Sequence, residues 1–318
     1  MVNKKESSLG KVNNDMILSI LDYTRLAPSS HNTQPWKFSI SESKIQILPD
    51  LKKALSIADP VHRELFISLG CASSNLEIAA NHYGYAINID YPKQKTDTIR
   101  IILEKLKKDA QDFPQLKRRY TDRGKYSQKP LPKDLLKNCR ELCKEGIHLE
   151  LFVDEDKEYI ARMVYEGDII QFNNPQYRKE LAYWLRKGVL GGGKISNAVG
   201  AFVVSTFNLG KTIGKKELSL ILSSPVYAVL GSENDNLVDW INIGISYERI
   251  ALYLSSIGIS NHPMNQGLLE LSDHRKRITE TCENISYAQF GFRIGYSEKT
   301  QRKSSPRFKL DELLVSLG

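Results

Sequence analysis

The sequence has few cysteines and no long apolar run. Its four cysteines are Cys71, Cys139, Cys143 and Cys282. Cys139 and Cys143 have the spacing of one helical turn, but no further ligands cluster beside them to complete a zinc site, so we expect ordinary thiols in a reducing compartment. The lack of an apolar run argues against a membrane-spanning helix, and the polar first residues lack the apolar stretch of a signal peptide. The sequence therefore predicts a cytoplasmic protein.

Several catalytic motifs are also absent. There is no G-x-S-x-G turn of a serine hydrolase and no H-E-x-x-H helix of a zinc protease, and the histidines are dispersed. The segment GVLGGGKI, residues 188–195, comes within one residue of a nucleotide-binding phosphate loop. Ile195 stands where that loop needs a hydroxyl for Mg²⁺, and no clear strand precedes the segment. We therefore expect neither these activities nor a metal site.

The composition is that of a folding chain, since 41% of the 318 residues are hydrophobic and 26% are charged. The net charge of +8 has two interpretations: a basic face for nucleic acid or membrane, or a general excess of lysine with local use for a phosphate. The lysines are scattered from Lys4 to Lys309 without a run of five. The basic segments also lack the interleaved aromatics on which nucleic-acid bases stack. We expect small-molecule partners, and neither nucleic acid nor membrane.

Periodicity and turn residues divide the chain into helices and strands. Helical patterns cover 13–27, 62–84, 132–146, 157–186 and 238–258, and strand patterns cover 36–42, 44–50, 86–92, 98–106, 148–154, 224–232 and 288–296. The helices 62–84 and 238–258 are apolar nearly all round, which is typical of buried helices. Residues 109–132 form a basic connecting arm. Residues 187–222 have a weak pattern, which predicts a long insertion or lid, although 198–207 alternatively fits a buried strand.

The two long apolar helices can be aligned with each other. Gly70 then falls on Gly244 and Gly84 on Gly258, and a short strand follows each helix. This correspondence predicts an internal duplication, with each half helix-rich around a mixed sheet.

One polar loop stands out at residues 27–38, APSSHNTQPWKF. It gathers Ser29, Ser30, Asn32 and Gln34 behind a proline that ends a helix. An ordinary turn also uses Pro, Ser and Asn. So many side-chain amides and hydroxyls nevertheless favour a loop that grips the edge of a planar polar heterocycle.

Two basic segments have the chemistry of a phosphate site. RRYTDRGKY, residues 118–126, combines Arg119, Thr121 and Arg123, and the tail at 302–314 adds Ser305 and Arg307. Guanidinium groups and hydroxyls suit a phosphate monoester. The alternative for either segment alone is a solvated linker.

These segments resemble a known family. APSSHNTQPW resembles the P-S-S-x-N-x-Q-P-W loop of the FMN-dependent nitroreductases, and RRYTDRG resembles their R-x-S-x-[RK] phosphate motif, with Thr121 in the serine position. GISNHPMNQG, residues 258–267, is similar to the segment beneath the flavin's central ring, and SPRFKLDELL to the closing phosphate arm. The order of elements resembles the Acg-like branch, which can be described as a fused dimer. Residues 187–222 resemble the lid region of that branch, and a lid over the flavin would restrict hydride donors and acceptors.

The resemblance implies an α+β nitroreductase-like fold with two related halves in one chain. Each half has helices around a mixed, mainly antiparallel sheet. The halves are predicted at 1–108 and 109–318, with the lid at 187–222. The first half carries the polar loop at residues 27–38, here called the serine loop. The second half carries the basic segment at residues 118–126, here called the arginine motif. Each half thus supplies one of the two motifs, and one complete FMN site per chain is expected. The chain would be a monomer, as a fused dimer, or a weak homo-oligomer.

The resemblance also implies an oxidoreductase that transfers hydride or electrons through FMN between a small-molecule donor, NADH or NADPH, and an acceptor. The alternative function is a protein that stores or sequesters FMN with little turnover. No catalytic side chain is expected, because the flavin carries the chemistry. The implied FMN-binding residues are Pro28, Ser29, Ser30, Asn32, Gln34, Arg119, Thr121, Arg123, Pro263, Met264, Asn265, Ser305 and Arg307.

Overall fold

The computed structural model describes residues 14–41, 44–106, 115–265, 271–298 and 305–316. In the first part of the chain lie α1 (Asn14–Thr24), β1 (Trp36–Ser41), β2 (Lys44–Pro49), α2 (Arg63–His82), β3 (Tyr85–Asp90) and β4 (Ile99–Lys105). The second part begins with α3 (Gln115–Arg118), β5 (Tyr126–Ser127), α4 (Leu135–Glu141) and β6 (Ile147–Phe152). Four helices follow: α5 (Asp154–Asn173), α6 (Pro175–Arg186), α7 (Lys194–Thr206) and α8 (Gly210–Leu222). The chain continues with β7 (Val226–Ser232), α9 (Leu237–Ser256), β8 (Ser260–Pro263), α10 (Ser272–Thr281), β9 (Tyr287–Ser297) and α11 (Leu310–Leu313).

The two sheets have the same strand order. The first runs β1-β2-β4-β3 and the second β6-β7-β9-β8, with β5 added beside β9. Every described pair within them is antiparallel. The predicted α+β fold with two related halves is therefore confirmed, and the boundary expected at residue 108 lies outside the described residues.

The two long helices cross each other at the centre of the molecule. Sixteen residues of α2 are buried, and α9 buries twelve, because both carry apolar or small residues on nearly every face. Gly70 and Gly244 meet at the crossing, where a Cβ on Gly70 would lie 2.9 Å from the Gly244 Cα and overlap the Ile241 carbonyl oxygen. Only glycine allows the two backbones to approach so closely. The largest hydrophobic cluster surrounds this crossing and reaches both sheets.

The halves differ in one connection. Two residues link β1 to β2, whereas residues 153–225, here called the insertion, link β6 to β7 and contain α5 to α8. The insertion packs back on the first half: Phe172, Tyr177 and Val204 share a cluster with Leu55 and Ala58. The Glu180 carboxylate also accepts the backbone N–H groups of residues 57 and 58, both at 3.0 Å.

The insertion corrects one sequence interpretation. The weakly patterned residues 187–222 contain two regular helices, and the alternative strand at 198–207 is wrong because these residues lie mainly in α7. An apolar run of this length is ambiguous between strand and helix. Packing against α6 resolves the ambiguity, since Ala201 and Val204 are buried on one helical face while Val199 and Phe202 are exposed.

Candidate functional site

The polar loop after α1 has an unusual backbone. His31, Asn32 and Gln34 have φ values of 48°, 54° and 50°, in the left-handed region that non-glycine residues rarely adopt. Side-chain hydrogen bonds hold the loop: the Gln34 N–H donates to Ser29 Oγ at 2.9 Å, and the Asn32 amide donates to the carbonyls of Val189 and Pro306 at 2.6 and 2.8 Å. The surrounding contacts thus stabilise a strained shape of the kind found at functional sites.

A cavity of about 290 Å³ opens beneath this loop. Both halves and the insertion contribute to its walls. The predicted site residues that line it are Pro28, Ser29, Ser30, Thr121, Arg123, Pro263, Met264 and Asn265. The apolar part of the lining includes Ile67, Tyr247 and Phe290. The cavity has the mixture of apolar walls and few polar groups that is typical of cofactor sites.

A smaller pocket of about 80 Å³ adjoins the cavity. The two share Pro28, Ser29, Thr121 and Arg123. The predicted residues found only in the smaller pocket are Asn32, Arg119, Ser305 and Arg307. Gln34 lines neither space; it lies behind the loop, where its Oε1 accepts the Phe308 N–H at 2.9 Å.

Two of the three arginines that line the smaller pocket converge on one carbonyl. Arg119 and Arg307 donate to the Leu26 oxygen at 3.3 and 3.0 Å, and Arg307 also donates to Asn32 Oδ1 at 2.9 Å. Arg119 Nε forms a buried ion pair with Glu248 at 2.9 Å. Arg119 Nη1 and Arg307 Nε are buried and find no hydrogen-bond partner in the part of the chain that the structure describes. Two cationic donors are therefore left for an anion.

Burial sets the charges of this pocket. It raises the pKa of Glu248 to about 7, against the opposing effect of Arg119. Burial and then the neighbouring Arg119 lower the pKa of Arg307 to about 9. Arg307 is thus cationic near neutral pH, while Glu248 is close to its titration point.

Glu64 joins two of the predicted segments across the cavity. Its carboxylate accepts hydrogen bonds from Ser30 Oγ and from the Asn265 side-chain amide, both at 2.5 Å. The neighbouring Met264 donates its N–H to the Gly291 carbonyl at 3.0 Å and accepts the Tyr227 hydroxyl at 2.9 Å. These bonds fix the segment after β8 relative to the serine loop.

The insertion supplies the remaining wall. Its residues in the cavity are Asp168, Phe172, Tyr177, Leu181, Leu190, Ile213 and Glu217. The Asp168 and Glu217 side chains are hydrogen-bonded to each other. Burial and then the neighbouring Glu217 raise the pKa of Asp168 to about 9.

The two cavity histidines are neutral at physiological pH. Burial lowers the pKa of His31 to about 4, with Arg123 acting in the same direction. Burial and then Arg293 hold the pKa of His262 well below its usual range, and Arg293 Nε donates to His262 Nδ1 at 3.3 Å.

Motif reasoning missed four acidic residues: Glu64, Asp168, Glu217 and Glu248. A signal for two of them exists in the sequence, because Glu64 and Glu248 lie in the two helices whose pattern predicts burial, where a carboxylate needs a partner. Asp168 and Glu217 lie in ordinary amphipathic patterns and gave no such signal.

Among the described residues, no group of three or more His, Cys, Asp or Glu side chains is placed to hold a metal ion. None of the described helices combines the length and apolar character needed to cross a bilayer.

Comparison with known proteins gives consistent matches. The family model described as "Putative TM nitroreductase" matches residues 2–80. The "Putative NAD(P)H nitroreductase Rv3131" of Mycobacterium tuberculosis H37Rv is 24% identical over 299 residues, which cover 89% of this chain and 86% of that protein. The "Putative NAD(P)H nitroreductase MT3217" of the CDC 1551 strain matches to the same extent.

Solved structures with partial similarity include the FMN-dependent nitroreductase NfnB of Mycobacterium smegmatis in complex with NADPH, with 18% identity, a TM-score of 0.41, and coverage of 62% of this chain and 94% of that one. A nitroreductase-like family protein of Bacillus cereus has 14% identity, a TM-score of 0.41, and coverage of 64% and 95%. The family model and the two relatives agree with the resemblance that the motifs predicted: this chain is similar to nitroreductases, over residues 2–80 in the family model and over 89% of its length in the relatives.

Proposed function

We propose that this protein is an oxidoreductase that binds one FMN per chain, with the phosphate in the smaller pocket and the flavin ring in the larger cavity. One observation carries the proposal. A cavity with largely apolar walls adjoins a cationic pocket, and Pro28, Ser29, Thr121 and Arg123 line both. FMN has the same division, since a flat ring system is joined through a short polar chain to a phosphate.

The donors of the smaller pocket fit the phosphate. The unpartnered N–H groups of Arg119 and Arg307 are buried, where leaving a cationic donor unpaired is unfavourable. Phosphate oxygens would satisfy both, and Thr121 and Ser305 would add hydroxyl donors from the same lining.

Other residues of this chain would orient the ring. Ser29 and Ser30 line the cavity, where they would contact the polar edge of the flavin ring. The resemblance implies that the backbone around Met264 and Asn265 donates a hydrogen bond to the flavin's N5. Because the Met264 N–H already donates to Gly291, the Asn265 N–H would be this donor. Arg123 would stabilise negative charge that develops on the ring's pyrimidine edge, since it lines both spaces.

FMN, when bound, supplies the ability to accept and donate a hydride. The chain's own contribution is binding, orientation and exclusion of water by Ile67, Tyr247 and Phe290. The similarity to two relatives named "Putative NAD(P)H nitroreductase" supports NADH or NADPH as the donor.

Release of the flavin by denaturation, with the flavin and protein concentrations measured separately, tests this proposal. We expect a ratio near one after the purified protein has been saturated with FMN and freed of excess. A ratio near two would contradict the single site, and a protein that retains no flavin would contradict the cofactor.

The alternative is a protein that stores FMN, and one feature favours it. The insertion contributes Leu190 and Ile213 to the cavity wall and binds the serine loop through the Val189 carbonyl, so it restricts access to the ring. Anaerobic reduction by NADH and NADPH separates the two functions. Rapid bleaching of the flavin supports an enzyme, and flavin that stays oxidised with both donors but is reduced by dithionite supports storage.

A further inference from the structure

Two carboxyl groups face the cavity from the insertion, on helices that approach each other unusually closely. Gly210 and Gly214 of α8 lie against α5, where a Cβ would be 3.0 Å from the carbonyl oxygens of Asp168 and Tyr165 respectively. This close packing brings the Asp168 and Glu217 side chains within hydrogen-bonding reach of each other. We call these two residues the acid pair.

The acid pair is incompletely satisfied. Asp168 is only 3% exposed, and its Oδ2 finds no hydrogen-bond partner among the described residues. A buried acceptor without a donor is unfavourable unless a ligand supplies one. The adjoining wall is aromatic and apolar: the rings of Phe172 and Tyr177 are 5.4 Å apart at an angle of 73°, and Ile213 lies on the same side of the cavity.

We propose that the acid pair and these aromatic rings form a subsite for the protonated nitrogen of an organic ammonium compound, so that the substrate or regulator that reaches the cavity is a cation with an apolar body. The position of this subsite beside the flavin rests on the proposed function, whereas the cation-binding chemistry does not. None of the residues assigned above to FMN belongs to the acid pair.

The chemistry of the wall favours a cation over other ligands. An ammonium group donates up to three hydrogen bonds, and it satisfies both carboxyl groups at once. Aromatic rings beside the carboxylates add attraction to a desolvated cation. A neutral alcohol supplies a single donor and no charge, and an anion would be repelled once the pair ionises.

The surrounding charges determine the protonation of the acid pair. The pKa of Glu217 is raised by burial, while Asp168, Lys216 and Arg293 act against that shift. The pKa of Asp168 is raised to about 9. Tyr227 of β7 lies within electrostatic reach of Glu217. The other titratable or charged cavity residues are His31, Glu64, Cys71, Arg123, Tyr177, Tyr247 and His262. The free pair therefore retains a proton near neutral pH, and a bound cation displaces it.

Titration calorimetry of the full-length, flavin-loaded chain with benzylamine and with benzyl alcohol tests the proposal. The two probes have similar apolar bodies and differ in charge. We expect benzylamine to bind about tenfold more tightly or better. We also expect proton release, measured as a dependence of the binding heat on the ionisation enthalpy of the buffer, and a benzylamine affinity that rises as the pH approaches 9.

Matched variants locate the effect. Asp168→Asn and Glu217→Gln should each abolish most of the preference for benzylamine, whereas Glu158→Gln, which removes a half-exposed carboxylate at the other end of α5, should keep it. If Asp168→Asn does not fold, Glu217→Gln alone decides. Equal binding of the two probes, or a preference that survives in Glu217→Gln, would overturn the proposal.

The flavin absorbance of each sample separates the two hypotheses. A chain that holds no flavin but still prefers benzylamine would contradict the proposed function and leave the cation subsite supported. A flavin-loaded chain that does not prefer benzylamine would contradict the cation subsite and leave the proposed function supported.

Discussion

The two halves of the molecule have the same arrangement of sheet and long helix, but they differ in the segments and side chains around the cavity. Both sheets follow the same strand order, and both long helices end in a glycine with a φ of 76°, Gly84 and Gly258. Only the second half carries the insertion and the buried ion pair of Arg119 with Glu248. The comparison teaches that the two halves are alike at positions needed for packing and differ at positions around the cavity.

The central helices show this divergence residue by residue. The alignment that places Gly70 on Gly244 also places Ser73 on Tyr247 and Ser74 on Glu248. Tyr247 lines the cavity and Glu248 holds the pocket arginine, whereas Ser74 is a small buried hydroxyl. The site is thus asymmetric although the frame that supports it is nearly symmetric.

The strongest expected effect concerns what the halves have in common. Gly70→Val or Gly244→Val should each lower the free energy of unfolding by about 3 kcal/mol or more, because the new side chain overlaps the backbone of the opposite helix. Urea unfolding measures the change. Gly200→Ala in α7 is the control, since no described atom outside the backbone of its own helix lies within 4 Å of its Cβ position. It should stabilise the protein by about 0.5–1 kcal/mol. A small loss in the free energy of unfolding for one of these two variants and a large loss for the other would show that the two glycines are not equivalent at the crossing.

The next effect concerns what only one half possesses. Arg119→Ala should weaken FMN binding by roughly 10- to 150-fold, because a charge-assisted contact to phosphate contributes about 1.5–3 kcal/mol. Its neighbour Arg118 is exposed, so Arg118→Ala and Lys309→Ala should change the affinity little. Quenching of flavin fluorescence on titration gives the dissociation constants. Equal losses in all three variants would indicate attraction by net charge rather than a built pocket.

A smaller effect follows from the charges in the pocket. As the pH rises, Glu248 gains a negative charge around its pKa of about 7 and Arg307 loses its positive charge around a pKa of about 9. Both changes oppose a phosphate, so the dissociation constant of FMN should increase roughly tenfold between these values. Riboflavin, which has no phosphate, should show little change. Glu248→Gln should remove the part of the increase near pH 7; a full increase in this variant would exclude Glu248 as its source.

The smallest expected effect concerns the two glycines that follow the long helices α2 and α9. Gly84→Ala and Gly258→Ala should each destabilise the protein by about 1 kcal/mol, because both glycines have the same left-handed backbone and no atom lies within 4 Å of the Gly258 Cβ position. Thermal and urea unfolding of both variants provide the measurement. If the losses in free energy of unfolding of the two variants differ by more than about 1 kcal/mol, the two helix ends are not equivalent.

Local sequence determined much of this architecture. The helices α2 and α9 were predictable because their apolar and small residues lie on nearly every face, and the strands β1 and β2 because apolar and polar residues alternate along them. The serine loop and the arginine motif were also recognisable, since their chemistry lies within a few consecutive residues. All the predicted binding residues except Gln34 line one of the two connected spaces.

The tertiary structure alone decided the rest, because the responsible contacts join residues that are far apart in the chain. No local pattern pairs Arg119 with Glu248, brings Arg307 to the Leu26 carbonyl, or places Gln34 behind its own loop. The helical state of residues 194–206 depends on packing against α6, since their apolar composition suits a strand equally well. Asp168 and Glu217 meet only because glycines allow α5 and α8 to pack closely. Periodicity reports which face of an element is buried, whereas the partner across that face is set by the whole fold.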